Sequence, residues 1–337
     1  MKTARNNVLE LIKLFASYMV VFIHLPFYGK AALVMESLAR FAVPFFILVS
    51  GFFSYRISLS KIKKRILHML SLLLFSVLLY TWRNIEAFVL SGNFEAIGQY
   101  FGRYLSSETL TNLLVFNVPV SSVHLWYLLA MLYVYIIFFF VTKYSVSEKP
   151  LFVLSFILLF ANLILGEGLS AMGIIIPNHY IRNFALVGMP FFGIGMFVKK
   201  HEMKFKSVPG FVIFLCMAVG IAETLFSRFN FGINDMYLGS VFIVFAFAVT
   251  FIKLSDLKCP RPLITLASCS TFIYILHMFV SSKLFNFYWQ AGLDYQSLIW
   301  LKNLHPILAC VISTILAYVV ILIQKGFKAQ KAEAKAR

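Results

Sequence analysis

Apolar residues fill this chain in long runs, broken at fairly regular intervals by short basic and polar clusters. A run of roughly 20 apolar residues is long enough for a helix to cross a hydrocarbon layer. Ten runs of that kind, near 8–27, 38–56, 66–82, 124–142, 150–166, 184–198, 209–227, 237–252, 263–285 and 304–324, predict ten spanning helices. The expected fold class is therefore all-α, a polytopic transmembrane helical bundle. The first run stands out. Its segment ELIKLFASYMVVFIH carries Glu10, Lys13, Ser17 and His24 at intervals of three, four and seven. On a helix these share one face, so a narrow polar stripe crosses an apolar surface. Titratable groups at membrane depth are costly and mark functional positions. The plain alternative is a snorkelling lysine at one end and an interfacial histidine at the other. Glu10 and Lys13 are also spaced to pair with each other across one turn.

Composition strengthens the membrane reading. The 337 residues are 61% hydrophobic and only 13% charged, whereas soluble domains are about half apolar and a quarter charged. A net charge of +17 invites a nucleic-acid reading, but the basic residues sit in clusters between apolar runs. With the N-terminus in the cytosol, 21 Lys and Arg fall on inside segments, among them Lys2 and Arg5, and 7 fall on outside ones. That bias places both termini in the cytoplasm and the polar partner at a lipid bilayer, with no nucleic acid expected. Glu10 and Lys13 interrupt the first run and no small-residue cleavage site follows, so it reads as a retained span. Residues 1–326 are expected to form a single transmembrane domain and 327–337 a basic cytoplasmic tail. The 83–123 connection is the longest and has room for an interfacial or re-entrant helix. The four cysteines are widely spaced, and the scattered histidines lack carboxylate partners, so no metal site is expected.

With this topology, polar groups gather at one level near the outer face. His24 ends the first span, Arg40 opens the second ahead of Pro44 and Ser50-Gly51, and His124 and Trp126 open the fourth. His179 and Arg182 precede the sixth, and Tyr274 and His277 lie in the outer half of the ninth. An interfacial aromatic belt explains Trp126 but not two arginines and four histidines. The cytosolic side carries Lys61, Lys63, Lys64 and Arg65 ahead of the third span. These are either an ordinary positive-inside loop or a docking site for a phosphorylated ligand.

Six motifs then bear a resemblance. They are Lys13 to His24 with Glu10 three residues ahead, RFAVPFFILVSGFF from Arg40 to Phe53, and KKR at 63–65; HLWYL from His124, RNFALVGMPFFGIG from Arg182 and STFIYILH ending at His277 complete them. In this order they resemble the acyltransferase-3 family of bacterial integral-membrane O-acyltransferases, and within it the single-domain members that acetylate surface glycans. Lys13 and Glu10 stand where the family more often has Arg and Asp, and lysine lacks the planar fork of arginine. The resemblance implies a multi-pass protein of the bacterial cytoplasmic (inner) membrane with no permanently bound cofactor. It implies acyl-CoA, most often acetyl-CoA, as donor substrate and a glycan or lipid-linked saccharide as acceptor. On this footing Lys63, Lys64 and Arg65 hold the CoA phosphates and the pantetheine arm lies along Glu10, Lys13 and Ser17. Ser50 donates to the thioester oxygen, and His24 is the general base, in direct transfer or an acyl-histidine relay, with Lys13 and Glu10 counted beside it as catalytic residues. Arg40, His124, Trp126, Arg182, Tyr274 and His277 hold the acceptor. Two rival readings remain, a transporter or exporter of a glycan or small anion and a non-catalytic envelope scaffold. The first predicts repeat symmetry that the chain lacks, and the second leaves the titratable stripe without a use.

Overall fold

The computed structural model describes residues 6–104 and 106–336; Lys2, Arg5 and Arg337 lie outside the described residues. Helices dominate, and no strand occurs among the described residues. In chain order the main helices are α1 (Asn7–His24), α2 (Lys30–Leu38), α3 (Ala42–Phe52), α4 (Leu59–Leu90), α5 (Glu95–Tyr104), α6 (Ser107–Leu114) and α7 (Trp126–Lys143). They continue with α8 (Glu148–Leu163), α9 (Met189–Lys200), α10 (Gly210–Phe231), α11 (Leu238–Lys253), α12 (Arg261–Ala267), α13 (Ser270–Gln290) and α14 (Ile299–Ala336). Seven helical segments are long and apolar enough to cross a membrane, and an eighth results if α12 and α13, bent by 58°, form one span. The chain is a multi-pass membrane protein. All ten expected runs fall on helix, but two of them, at 184–198 and 237–252, lie on helices outside that set, the first ending in the 12-residue Met189–Lys200 and the second in Leu238–Lys253.

The helices extend past their apolar runs. Residues Lys30–Phe52 form one candidate span, so Arg40 lies within a helical segment and does not open it as expected. The cause of the break there is local. Pro44 has no N–H to offer the carbonyl of Arg40, and the chain tightens into a single turn at Ala39–Phe41 before α3 begins. The third run, expected at 66–82, sits inside the 32-residue α4. The 83–123 connection therefore holds the end of α4 and two short helices, α5 and α6.

The chain divides into two compact units, Met1–Ala42 with Ala246–Arg337, and Val43–Phe245. In the first, α1 is central, packed by α2, the Ala39–Phe41 turn, α12, α13 and α14. Asn6 caps α1, its side chain accepting from the Leu9 N–H at 2.9 Å while its amide donates to the Phe251 carbonyl at 2.7 Å. The interior is built on Ala16, Val20, Val21, Ile273, Ile275, Ala309 and Ala317, all essentially inaccessible.

In the second unit, α9 packs against α8, and α7 against α4. The close approach of α3 and α9 rests on two glycines. A Cβ added at Gly51 would stand 1.9 Å from the Phe192 carbonyl oxygen, and one at Gly195 would stand 2.0 Å from that of Leu48. Small residues allow membrane helices this backbone-to-backbone contact. Leu67, Leu70, Leu74, Leu78 and Trp82 leave one side of α4 exposed and apolar, as a lipid-facing surface requires.

Candidate functional site

In the first unit the polar stripe of α1 is present and internally organised. Lys13 Nζ donates to Glu10 Oε1 at 3.2 Å, a pair across one turn in which both side chains are largely covered. Ser17 is fully buried, and its hydroxyl donates to the Leu14 carbonyl at 2.7 Å. Glu10 thus answers the lysine charge and Ser17 is spent inside the helix. His24 closes α1.

The His24 and His277 rings face each other, with centroids 5.3 Å apart and planes inclined by 32°. His277 is completely buried, and its Nδ1 lies 2.7 Å from the Tyr274 carbonyl oxygen. A carbonyl only accepts, so Nδ1 carries the proton and Nε2 is the basic nitrogen. Tyr274 is buried beside His277, ring to ring at 6.2 Å. Arg40 donates from Nη2 to Glu36 Oε1 at 2.9 Å. Glu36 went unremarked in the sequence, although its position four residues before Arg40 on a helix is the available signal.

The second unit holds the other expected residues. Arg65 is engaged at the end of α3: Nη1 donates to Ser54 Oγ at 2.6 Å and Nη2 to the Phe53 carbonyl at 2.8 Å, with Tyr135 OH at 3.5 Å. This is a cationic cap on the last carbonyls of a helix. Lys63 and Lys64 are exposed, Lys63 with its Nζ 5.6 Å from the Phe139 ring centroid. The KKR run therefore splits into two accessible lysines and one arginine that joins α4 to α3. Arg65→Ala is expected to destabilise the purified protein by about 1–3 kcal/mol, while Lys64→Ala leaves stability unchanged. Thermal unfolding in detergent compares them, and equal melting temperatures would show that the arginine contacts carry no stability.

Ser50 donates to the Phe46 carbonyl at 2.9 Å and is hydrogen-bonded by Tyr127, so its hydroxyl proton is committed within α3. His124 is buried, with Nδ1 2.8 Å from Ser122 Oγ and its ring edge-on to Tyr80 at 4.8 Å. Trp126 and Arg182 are brought together, the guanidinium carbon lying 5.7 Å from the indole centroid. Arg182 Nη1 also reaches Asp235 Oδ1 at 3.4 Å. Asp235 is 53 positions away, so no local spacing announced it. His179 packs among Phe116 and Tyr180. No group of three or more His, Cys, Asp or Glu side chains suited to a metal ion occurs among the described residues.

Against models of known families, residues 6–322 match the acyltransferase-3 family, described as an acyltransferase domain. The chain belongs to the acyltransferase-3 family. The match covers nearly the whole chain and takes in both units, so the helices carrying His24 and those carrying Arg182 belong to one acyltransferase-3 domain. Searches of curated proteins and of solved structures returned no match. Within the acyltransferase-3 domain, His305 was not singled out from the sequence. It lies buried on α14, hydrogen-bonded at both ring nitrogens. A histidine directly before a proline inside a long apolar helix was the signal available.

Proposed function

We propose that this protein transfers an acyl group, acetyl in the first instance, from cytoplasmic acyl-CoA to a hydroxyl of an extracytoplasmic glycan or lipid-linked sugar. Family membership supports acyl transfer. The observation that carries the assignment of the base is the His24–His277 pair, one ring at a helix end and the other buried with a fixed tautomer. His24 takes the proton as the acceptor oxygen attacks the thioester carbonyl. The new C–O bond forms, the C–S bond breaks, and the CoA thiolate leaves with the electron pair. Imidazole, with an ordinary pKa close to neutral pH, is a side chain suited to such proton transfer.

Lys63 and Lys64 take the CoA phosphates, since both are exposed; Arg65 supports them from the same turn of α4, where it caps the end of α3. Trp126 and Arg182 offer an aromatic face beside a cation, a surface that accepts a sugar ring and a neighbouring phosphate. The charge bias supports cytoplasmic termini and a location in the bacterial cytoplasmic membrane.

The test is transfer of label from acetyl-CoA to a membrane glycan fraction by protein reconstituted in proteoliposomes. Labelled glycan with stoichiometric free CoA is expected. Neither product from acetyl-CoA or succinyl-CoA would overturn the proposal.

A further inference from the structure

Within the first unit α1 and α14 run antiparallel, Tyr18 meeting Thr314 and Tyr28 meeting Asn303. A groove of about 360 Å³ lies between them. Tyr18 and Phe22 form its α1 wall, and the buried Cys310 and Thr314 its floor. Ile307, Val311 and Ile315 form the far wall. Each line repeats every four residues, and such residues stand one above another on a helix. The groove therefore follows the helix axes, with a far wall about 12 Å long. That wall is about half exposed, which on a spanning helix means contact with lipid.

The two ends of the groove differ. At depth, Thr314 Oγ1 donates to the Cys310 carbonyl at 2.7 Å and accepts from the Tyr18 hydroxyl at 3.0 Å. The polar groups of the floor thus answer each other, and the Tyr18–Thr314 bond bars the deep end from one helix to the other. Only hydrocarbon suits such a slot. At the mouth, Phe27 carries the α1 wall onward, its ring 5.0 Å from that of Phe22. Tyr28 follows, its N–H donating to Asn303 Oδ1 at 2.8 Å. Lys302 Nζ stands 5.2 Å from the Tyr28 ring centroid. It is partly exposed and lies about 7.5 Å along α14 from Ile307. Asp294, on the neighbouring 291–298 connection, is turned into its own loop and accepts from the Gln296 N–H at 2.9 Å.

An apolar slot one chain wide with a cation at its mouth matches a single-tailed lipid phosphate. A glycerophospholipid brings two chains, and a soluble glycan brings none. His24 ends α1 two residues past Phe22, so it stands at the height of the mouth, on the α13 side of the same helix. A helix is about 10 Å across, a width that a phosphate and one sugar residue cover. We infer that the groove between α1 and α14 seats the hydrocarbon tail of a lipid-phosphate-linked sugar, with its phosphate at Lys302. The acceptor is then the lipid-linked sugar and not free glycan. That last step rests on the acyltransferase reading with His24 as base, whereas the seating of the tail rests on the groove alone.

The experiment uses the full chain in phosphatidylcholine nanodiscs, with a diazirine-bearing prenyl phosphate as probe. Adducts are expected to concentrate on residues 307–315 and on the stretch from Tyr18 to Phe22. Val311→Trp lays an indole across the groove from its exposed wall and should cut labelling about tenfold. Val319→Trp, on the same helix outside the groove, should leave it unchanged. Lys302→Gln should weaken probe binding about tenfold. Adducts spread evenly over other lipid-facing helices such as α4, or full labelling of Val311→Trp, overturn the groove. If the tryptophan variant misfolds, the wild-type adduct map decides. Excess phosphatidylglycerol, which has the charge but two chains, should leave labelling in place, and complete displacement by it overturns the single-tail assignment. Transfer from acetyl-CoA is then compared with the same sugar offered free or on prenyl phosphate. The lipid-linked form should be preferred, and Val311→Trp should raise its KM while the KM for acetyl-CoA holds. Equal transfer to both forms, unmoved by Val311→Trp, overturns the acceptor assignment. Localised adducts with transfer to neither form uphold the groove and remove the acyltransferase reading.

Discussion

His24→Ala is expected to lower kcat for acyl transfer by roughly 10²–10⁴-fold, the usual contribution of a positioned general base. The protein should still fold. His24 is the final residue of α1, partly exposed, and the turn after it is closed by the Leu25 N–H donating to the Val21 carbonyl at 2.8 Å. Truncation there removes a ring from a helix end, where the surroundings can close more easily than in a packed centre. Acetyl-CoA affinity should stay within about twofold, because the donor phosphates are assigned to Lys63 and Lys64. The measurement is single-turnover transfer from labelled acetyl-CoA, alongside equilibrium CoA binding. A fully active alanine variant would remove His24 from the chemistry. Loss of binding along with rate would mean the ring positions the donor.

Gly51→Ala is the substitution expected to damage the fold most. The new methyl would meet the Phe192 carbonyl carbon and Cα at 2.7 and 2.9 Å, as well as its oxygen at 1.9 Å. Carbon and oxygen in ordinary contact stand well over 3 Å apart, so a helix axis must move. A side chain could rotate away; a carbonyl inside α9 cannot. Gly195→Ala forces the same movement from the other helix, with the Phe52 N–H also at 2.8 Å. Overpacking usually costs about 1–3 kcal/mol and more where the obstacle is rigid, so the upper end or beyond is expected here. The two substitutions should be less than additive, since one displacement relieves both. Gly98→Ala and Gly102→Ala on α5 are the controls. Nothing lies within 4 Å of a Cβ at either, and alanine should stabilise each by up to about 1 kcal/mol through helix propensity. Thermal unfolding of all four variants in one detergent checks the contrast. A Gly51→Ala protein as stable as Gly98→Ala would show that α3 and α9 are not held this closely.

The apolar runs were enough to place every long helix, because burial in lipid demands a continuous apolar stretch whatever the tertiary arrangement. Helix ends were less legible. Amphipathic turns such as Lys30–Leu38 carry the helix on beyond the apolar run, and the turn at Ala39–Phe41 follows from a single proline. The α1 stripe could be read because its members are neighbours along one helix. Partners that come from distant sequence could not be read, and Asp235 beside Arg182 and Ser281 beside His305 are of that kind. Arg65 shows a further limit. In a basic run it looks like its neighbours, and only the position of the α3 carboxyl end separates a helix cap from an exposed cation.

Helix α4 has a consequence beyond packing. Its 32 residues span about 48 Å, against a hydrocarbon thickness of about 30 Å. The excess must tilt or emerge, and the Leu59 end that holds Lys61, Lys63 and Lys64 is the end rich in charge. Bilayer thickness then acts as a ruler on that end of α4. A thick membrane draws those lysines into the headgroup layer, where anionic lipid competes for them, and a thin one lifts them clear into water. The apparent affinity for an anionic donor would become a property of the surrounding lipid as much as of the protein.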